Sequence, residues 1–137
     1  GAAESTSRNL VLNGSMRASG VVQAAEPPIN DNSSSLATTS WVRKNNSGHV
    51  AANGYQKILG GLIIQWLTVN VNGANTGVAT LPVAFPNGVL IAIVSDTQES
   101  LSPIHATAWN KGTTSNRAIG WNTNIQAGLI SIIAIGY

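Results

Sequence analysis

Two tryptophans and a run of amide, hydroxyl and cationic side chains crowd into one stretch: Trp109-Asn110-Lys111, Thr113, Asn116-Arg117 and Trp121-Asn122. These types suit a saccharide, which needs a flat aromatic face for the apolar side of its ring and planar or charged donors for its hydroxyls. They concentrate nowhere else in the chain. The same residues also fit plain structure, because tryptophan alternating along a strand packs a core and Asn-Lys-Gly is ordinary turn sequence. His105, at the start of an expected strand, joins the candidate set as a hydrogen-bonding residue at its edge.

Other chemistry finds less to build on. His49 and His105 lack a second ligand at metal-site spacing and cysteine is absent, so neither a metal centre nor a disulfide framework is expected. After Asp31 the only acids are Asp96 and Glu99, close together in a turn region, which is a poor start for paired-carboxylate glycoside cleavage. Ser102-Pro103-Ile104-His105 has neither the elbow nor the orienting acid of a serine triad. No catalytic residue and no cofactor is therefore assigned. Charged residues make up 9% of the 137, the net charge is +2, and no basic cluster exists beyond Arg43-Lys44. Such a surface does not track phosphates, so no nucleic-acid partner is expected. The longest apolar runs, near Leu62–Trp66, Val89–Val94 and Leu129–Ile135, extend about 5 to 7 residues against the roughly 20 of a membrane span. Membrane insertion is not expected. Without an initiating Met or a charged-then-apolar leader, the chain reads as a fragment of something longer.

The elements that must position these residues start at Gly54–Trp66, GYQKILGGLIIQW, where Gly60-Gly61 between apolar runs predicts a tight hairpin. Further alternation places strands at 55–59, 62–71, 77–84, 88–95, 104–110, 116–122 and 129–136, with Asn72-Gly73, Phe85–Gly88, Lys111-Gly112 and Ala127-Gly128 as punctuation. Turns at that spacing indicate an all-β antiparallel sandwich or barrel, with the sandwich preferred. Val89–Val94 and Leu129–Ile135 are continuously apolar, which implies that both faces of those strands are covered, in so small a domain by a subunit interface. Trp66, inside an apolar strand, is expected in the core. Residues 54–137 form the head.

Residues 1–53 read as a shaft or neck. Asn9–Val22 alternates loosely, as short strands would, and Pro27-Pro28 forces an extended passage. Ser33–Asn46 predicts one short helix near 35–45, serine-capped and ending on Arg43-Lys44, which complement its dipole. A helix that short needs a partner, and self-association supplies one. Asn45–Asn53 reads as a polar connector. Antiparallel alternation then groups the turns at Gly60-Gly61, Phe85–Gly88 and Asn110–Ser115 at one end of the head, and those at Asn72–Thr76, Thr97–Pro103 and Thr123–Gly128 at the other. If the strand at Tyr55 leaves from the shaft side, the first set is the tip. Reversed entry makes Thr97–Pro103 the tip.

The segment PPINDNSSSLATTSWVRKN resembles the PxxDNSxxxATTxFV stretch of phage tail fibres, and GYQKILGGLIIQW, LPVAFPNGV and the terminal IAIGY resemble their C-terminal receptor-binding domain. The similarity covers Ala25–Tyr137 in order, and the fibres of contractile bacteriocins share it. Leu67 stands where the family pattern has Gly, and Ile132-Ile133 where it often has an aromatic pair. The resemblance implies an intertwined homotrimer, joined through its N-terminal side to the rest of a fibre on the virion. Its β-sandwich head would bind host surface polysaccharide outside the cell by multivalent, noncovalent adhesion, with no enzymatic step. The fibre tips that hold iron through an HxH pattern are not matched, since His105-Ala106-Thr107 breaks it. The expected glycan site comprises Trp109, Asn110, Lys111, Thr113, Asn116, Arg117, Trp121 and His105. Two other readings are a polysaccharide-degrading tip with an inter-subunit active site and a non-binding trimerisation cap.

Overall fold

The computed structural model describes residues 13–28, 31–97, 105–125 and 127–137. One helix, α1 (Thr39–Asn45), precedes eight strands: β1 (Gly48–His49), β2 (Gly54–Lys57), β3 (Ile63–Asn70), β4 (Thr76–Thr80), β5 (Val89–Thr97), β6 (Thr107–Ser115), β7 (Ala118–Thr123) and β8 (Leu129–Gly136). Among the described residues no strand occurs before Gly48; of the stretch expected to hold short neck strands, residues 13–22 form none and residues 9–12 lie outside the described residues. Isolated alternation offers nothing to pair with.

The helix starts later than expected, and its cap is a threonine. Asp31 Oδ1 accepts from Ser33 N at 2.9 Å, so this serine stretch begins in a local turn. Thr38 Oγ1 then accepts from Trp41 N at 3.1 Å and caps the helix. Arg43 and Lys44 occupy the last turn as expected. Trp41 Nε1 donates to Pro28 O at 2.9 Å and Lys44 Nζ meets Glu26 Oε2 at 2.8 Å, which ties the extended passage around Pro27-Pro28 to the helix.

The strands form two sheets, one of five in the order β1-β2-β3-β8-β5 and one of three in the order β4-β7-β6, with every adjacent pair antiparallel. Facing each other they enclose Phe85, Ile119, Ile125, Ile130 and Ile132, all fully buried. Burial of side chains this size contributes about 1.5–3 kcal/mol each. The Gly60-Gly61 turn forms as expected, both residues at positive φ (97° and 92°). Leu67 lies in the core of an unbroken β3, so the departure from the family pattern leaves that strand's path intact.

Gln65 is the polar member of this core. Its side chain is fully buried, its Nε2 donates to Val83 O at 2.8 Å and its Oε1 accepts from Val83 N at 3.0 Å. The amide stands in for a strand neighbour and holds the β4–β5 connection against β3. Because Ile63, Gln65 and Leu67 point inward, Trp66 points outward, which corrects its expected place in the core. Its indole donates to Ala51 O at 2.8 Å and its ring covers Gly54 on the outer face.

That outer face is apolar. Two rows cross three strands, Ile64–Ile135–Ile91 and Trp66–Ile133–Ile93. In the single chain Ile91, Ile93 and Ile133 are 47%, 60% and 49% exposed, so the expected double coverage of β5 and β8 is not completed within one protomer.

Sequence reading missed β1, and that small element reverses the head. Gly48 and His49 pair with Gln56 and Tyr55, and Lys57 N donates to Ser47 O at 2.8 Å. The chain therefore enters the head beside the Gly60-Gly61 turn, runs away along β1, turns and comes back along β2. The turns group into the two ends that alternation implies, as far as they are described, but the end holding Gly60-Gly61, Phe85–Gly88 and Asn116-Arg117 is the neck end. Residues 98–104 of the opposite end lie outside the described residues.

Candidate functional site

Strand β6 carries most of the candidate residues and departs from the expected layout. Instead of turning at Lys111-Gly112, it continues to Ser115 and turns at Asn116-Arg117. Between Asn110↔Gly120 and Ser115↔Ala118 its register slips, and residues 111–114 bulge out of the ladder. Thr114 holds that bulge together. Its Oγ1 donates to Asn110 O at 2.8 Å and accepts from Gly120 N at 2.9 Å and from Trp109 Nε1 at 2.8 Å. A hydroxyl has one donor and two acceptor positions, and all three are used.

The bulge and the Phe85–Gly88 turn border a cleft of about 230 Å³ lined by Trp109, Lys111, Asn116 and Asn87. Trp109 is half-buried, packed against the core and locked by Thr114, while Lys111 and Asn116 are exposed. The cleft unites a fixed aromatic edge, one ammonium group and two amides. Such a set can cover the apolar side of a sugar ring and hydrogen-bond its hydroxyls.

The remaining candidates disperse. Asn110 turns to the outer face of the small sheet, where its Nδ2 donates to Asn122 Oδ1 at 3.2 Å. Thr113 leans over Gly120, and Arg117 is exposed at the neck-end turn. Trp121 is 3% exposed, lies against Gly77 and belongs to the core, so its ring is closed to any ligand. Further subunits would only reduce its exposure. Its Nε1 has no hydrogen-bond partner among the described residues. His105 sits at the opposite end of β6, its Nδ1 3.2 Å from Asp96 Oδ2.

A larger cleft of about 460 Å³ marks the junction of neck and head, lined by Lys44, Lys57, Gly61, Pro86, Asn87 and Tyr137. At the far end a groove of about 270 Å³ runs over β6 and β7, between Ala106, Ala108, Asn122 and Asn124. Asn87 and Asn124 escaped the sequence reading because asparagine in a turn looks structural. Thr114 escaped because the bulge leaves no trace in the hydrophobic pattern. Among the described residues no three His, Cys, Asp or Glu side chains gather to hold a metal ion. Glu99, the second carboxylate considered for catalysis, lies outside the described residues.

No curated protein matches the chain. Among solved structures it is similar in fold to an N-truncated R2-type pyocin tail fiber, with TM-score 0.58, 19% identity, and coverage of 80% of this chain and 45% of that one. It is also similar to the C-terminal part of the P. aeruginosa R2 pyocin fiber (TM-score 0.60, 17% identity, 84% and 34%) and to an N-truncated R1-type pyocin tail fiber (TM-score 0.54, 24% identity, 74% and 98%). The chain thus spans less than half the length of either R2 chain. A family model described as tail fiber protein gp53-like, C-terminal, matches residues 57–137, more than half of the chain and nearly the whole two-sheet head. With the fold and the family model in agreement, the chain belongs to the gp53-like tail fibre family, as a C-terminal tail fibre domain.

Proposed function

We propose that this chain is the C-terminal head and neck of a homotrimeric phage or bacteriocin tail fibre that adheres, without catalysis, to a surface glycan of the host bacterium. The observation that carries this reading is the convergence of Trp109, Lys111 and Asn116 with Asn87 on one cleft. Lipopolysaccharide and capsule are the glycans such a fibre meets first outside the cell. Three equivalent sites raise avidity with no new contact, so each can be weak. The trimer is supported by the uncovered rows Ile64–Ile135–Ile91 and Trp66–Ile133–Ile93, which a single protomer leaves in water. The neck leads to the rest of the fibre on the virion. The family's role in tail fibres favours adhesion over a polysaccharide-degrading tip.

Host polysaccharide incubated with the protein tests both parts of this reading. Retention of the polysaccharide at its original chain length is the expected result, and shortened chains would sink the adhesin. Trp109→Ala should weaken binding to host cells about tenfold. Unchanged binding by a folded variant would move the site elsewhere and leave room for the trimerisation cap.

A further inference from the structure

We infer that a second saccharide subsite, selective for neutral N-acetylated sugars, lies in the groove over β6 and β7 at the end of the head away from the neck. It rests on the reading of the chain as a glycan-binding fibre head. The groove has Ala106 and Ala108 as its apolar floor and Asn122 and Asn124 as its polar groups, with the backbones of Thr107 and Thr123 between them. Among the described residues no charged side chain lines it, whereas the two clefts described above each contain lysine. A carboxylate or phosphate would find no counter-ion there.

The amides are oriented by their own hydrogen bonds. Ala106 N donates to Asn124 Oδ1 at 2.8 Å, and because an N–H can only meet the oxygen, the Asn124 NH2 is turned away from the backbone. Asn110 Nδ2 engages Asn122 Oδ1, which leaves the Asn122 NH2 free as well. Among the described residues neither NH2 has a protein acceptor. The floor is held to the β7 side, since Asn124 N and Thr123 Oγ1 each donate to Ala106 O at 3.2 Å. The groove therefore presents two fixed donors beside two methyl groups. An acetamido substituent matches that set, with its carbonyl accepting from an amide and its methyl resting on alanine. A site whose fixed donors expect an acceptor discriminates against sugars lacking one, because the donors are then left unmatched.

Asn122→Asp with Asn124→Asp tests this directly, because a carboxylate keeps the acceptor oxygen for Asn110 and Ala106 while removing both NH2 donors. Ala108→Leu, at an exposed position, fills the groove beside Asn122 while leaving both amides in the chain, and covers the case in which the double variant misfolds. The full chain and each variant would be read on an array of neutral N-acetylated and acidic bacterial oligosaccharides, beside Lys111→Ala. Binding of neutral N-acetylated glycans by the wild type, falling tenfold or more in the double variant and in Ala108→Leu, supports the subsite. Wild-type binding to those glycans that both folded groove variants retain overturns the subsite and leaves adhesion standing. Binding confined to acidic glycans and lost with Lys111→Ala overturns it as well. A wild type that binds no glycan overturns adhesion itself, and the subsite with it.

Discussion

The outer faces of the two sheets have the same pleat and opposite chemistry. On the five-stranded sheet the outward rows are isoleucine and tryptophan, Ile64–Ile135–Ile91 and Trp66–Ile133–Ile93. On the three-stranded sheet they are Thr76–Asn122–Ala108 and Val78–Gly120–Asn110. A strand with one wet face alternates, and β4, β6 and β7 do so. The apolar outer face of β3, β5 and β8 follows the rule for strands covered on both sides, while one protomer covers only the inner one. On the proposed reading the difference sorts the two faces, the apolar one meeting other copies of the chain and the polar one staying in water with a ligand.

The most damaging way to break that contrast is a charge on the apolar face. Ile93→Lys places an ammonium group where the proposed trimer would bury it unpaired, at several kcal/mol per copy. Sedimentation should then show monomers at micromolar concentration in place of trimers. A wild type that sediments as a monomer would defeat the assembly outright.

Next in size is the joint that keeps the sheets docked. Gln65→Leu retains the volume but strips Val83 of partners for both its N–H and its C=O, which should cost about 3 kcal/mol. In a head of this size that lowers Tm by roughly 10 °C or more, measurable by calorimetry. If Val83 finds other partners, the loss will be small and the amide is not what joins the sheets.

This same strand shows where sequence reading succeeds and where it stops. Apolar runs and the turns between them located β2, β3, β5, β7 and β8 well, while β6 runs on to Ser115, past its expected end. The same pattern also paired the turns into two ends, since antiparallel connections leave no other arrangement. In Ile63–Leu67, however, both parities are apolar apart from Gln65, so alternation showed which residues share a face without showing which face is inside. Polarity misled here: the glutamine is buried and Trp66 faces out, because the amide has a backbone to pair with and the indole an edge carbonyl. Strand β1 was unreadable for another reason. Gly48-His49 carries no apolar signal and exists only through its pairing with β2, yet it decides which end of the head is joined to the neck. Within the candidate site, the aromatic and amide types near Trp109 were legible, while their separation onto two faces depended on a bulge that side-chain hydrogen bonds create.

That bulge gives a smaller test, on the polar side of the comparison. Thr114→Val keeps the shape and removes the hydroxyl that serves Asn110 O, Gly120 N and Trp109 Nε1. The expected loss is about 1–2 kcal/mol of stability. Because Trp109 then loses its anchor, glycan binding should fall by more than the lost stability accounts for. Wild-type affinity in a folded Thr114→Val would mean that the indole needs no positioning by the bulge.

The smallest expected effect sharpens the contrast most. Val78 is the largest apolar residue in the outward rows of the three-stranded sheet, 58% exposed, much like Ile93 on the other sheet at 60%. Exposure in the single chain therefore does not distinguish them, and only their surroundings do: Ile93 has Ile133 and Trp66 in its row, Val78 has Gly120 and Asn110. If the apolar face is covered by other copies and the polar face is not, Val78→Lys should shift stability by no more than about 0.5 kcal/mol and leave the oligomer intact. Dissociation by Val78→Lys as complete as by Ile93→Lys would mean that both faces are buried in the assembly, and the groove over β6 and β7 would then have no open side for a glycan.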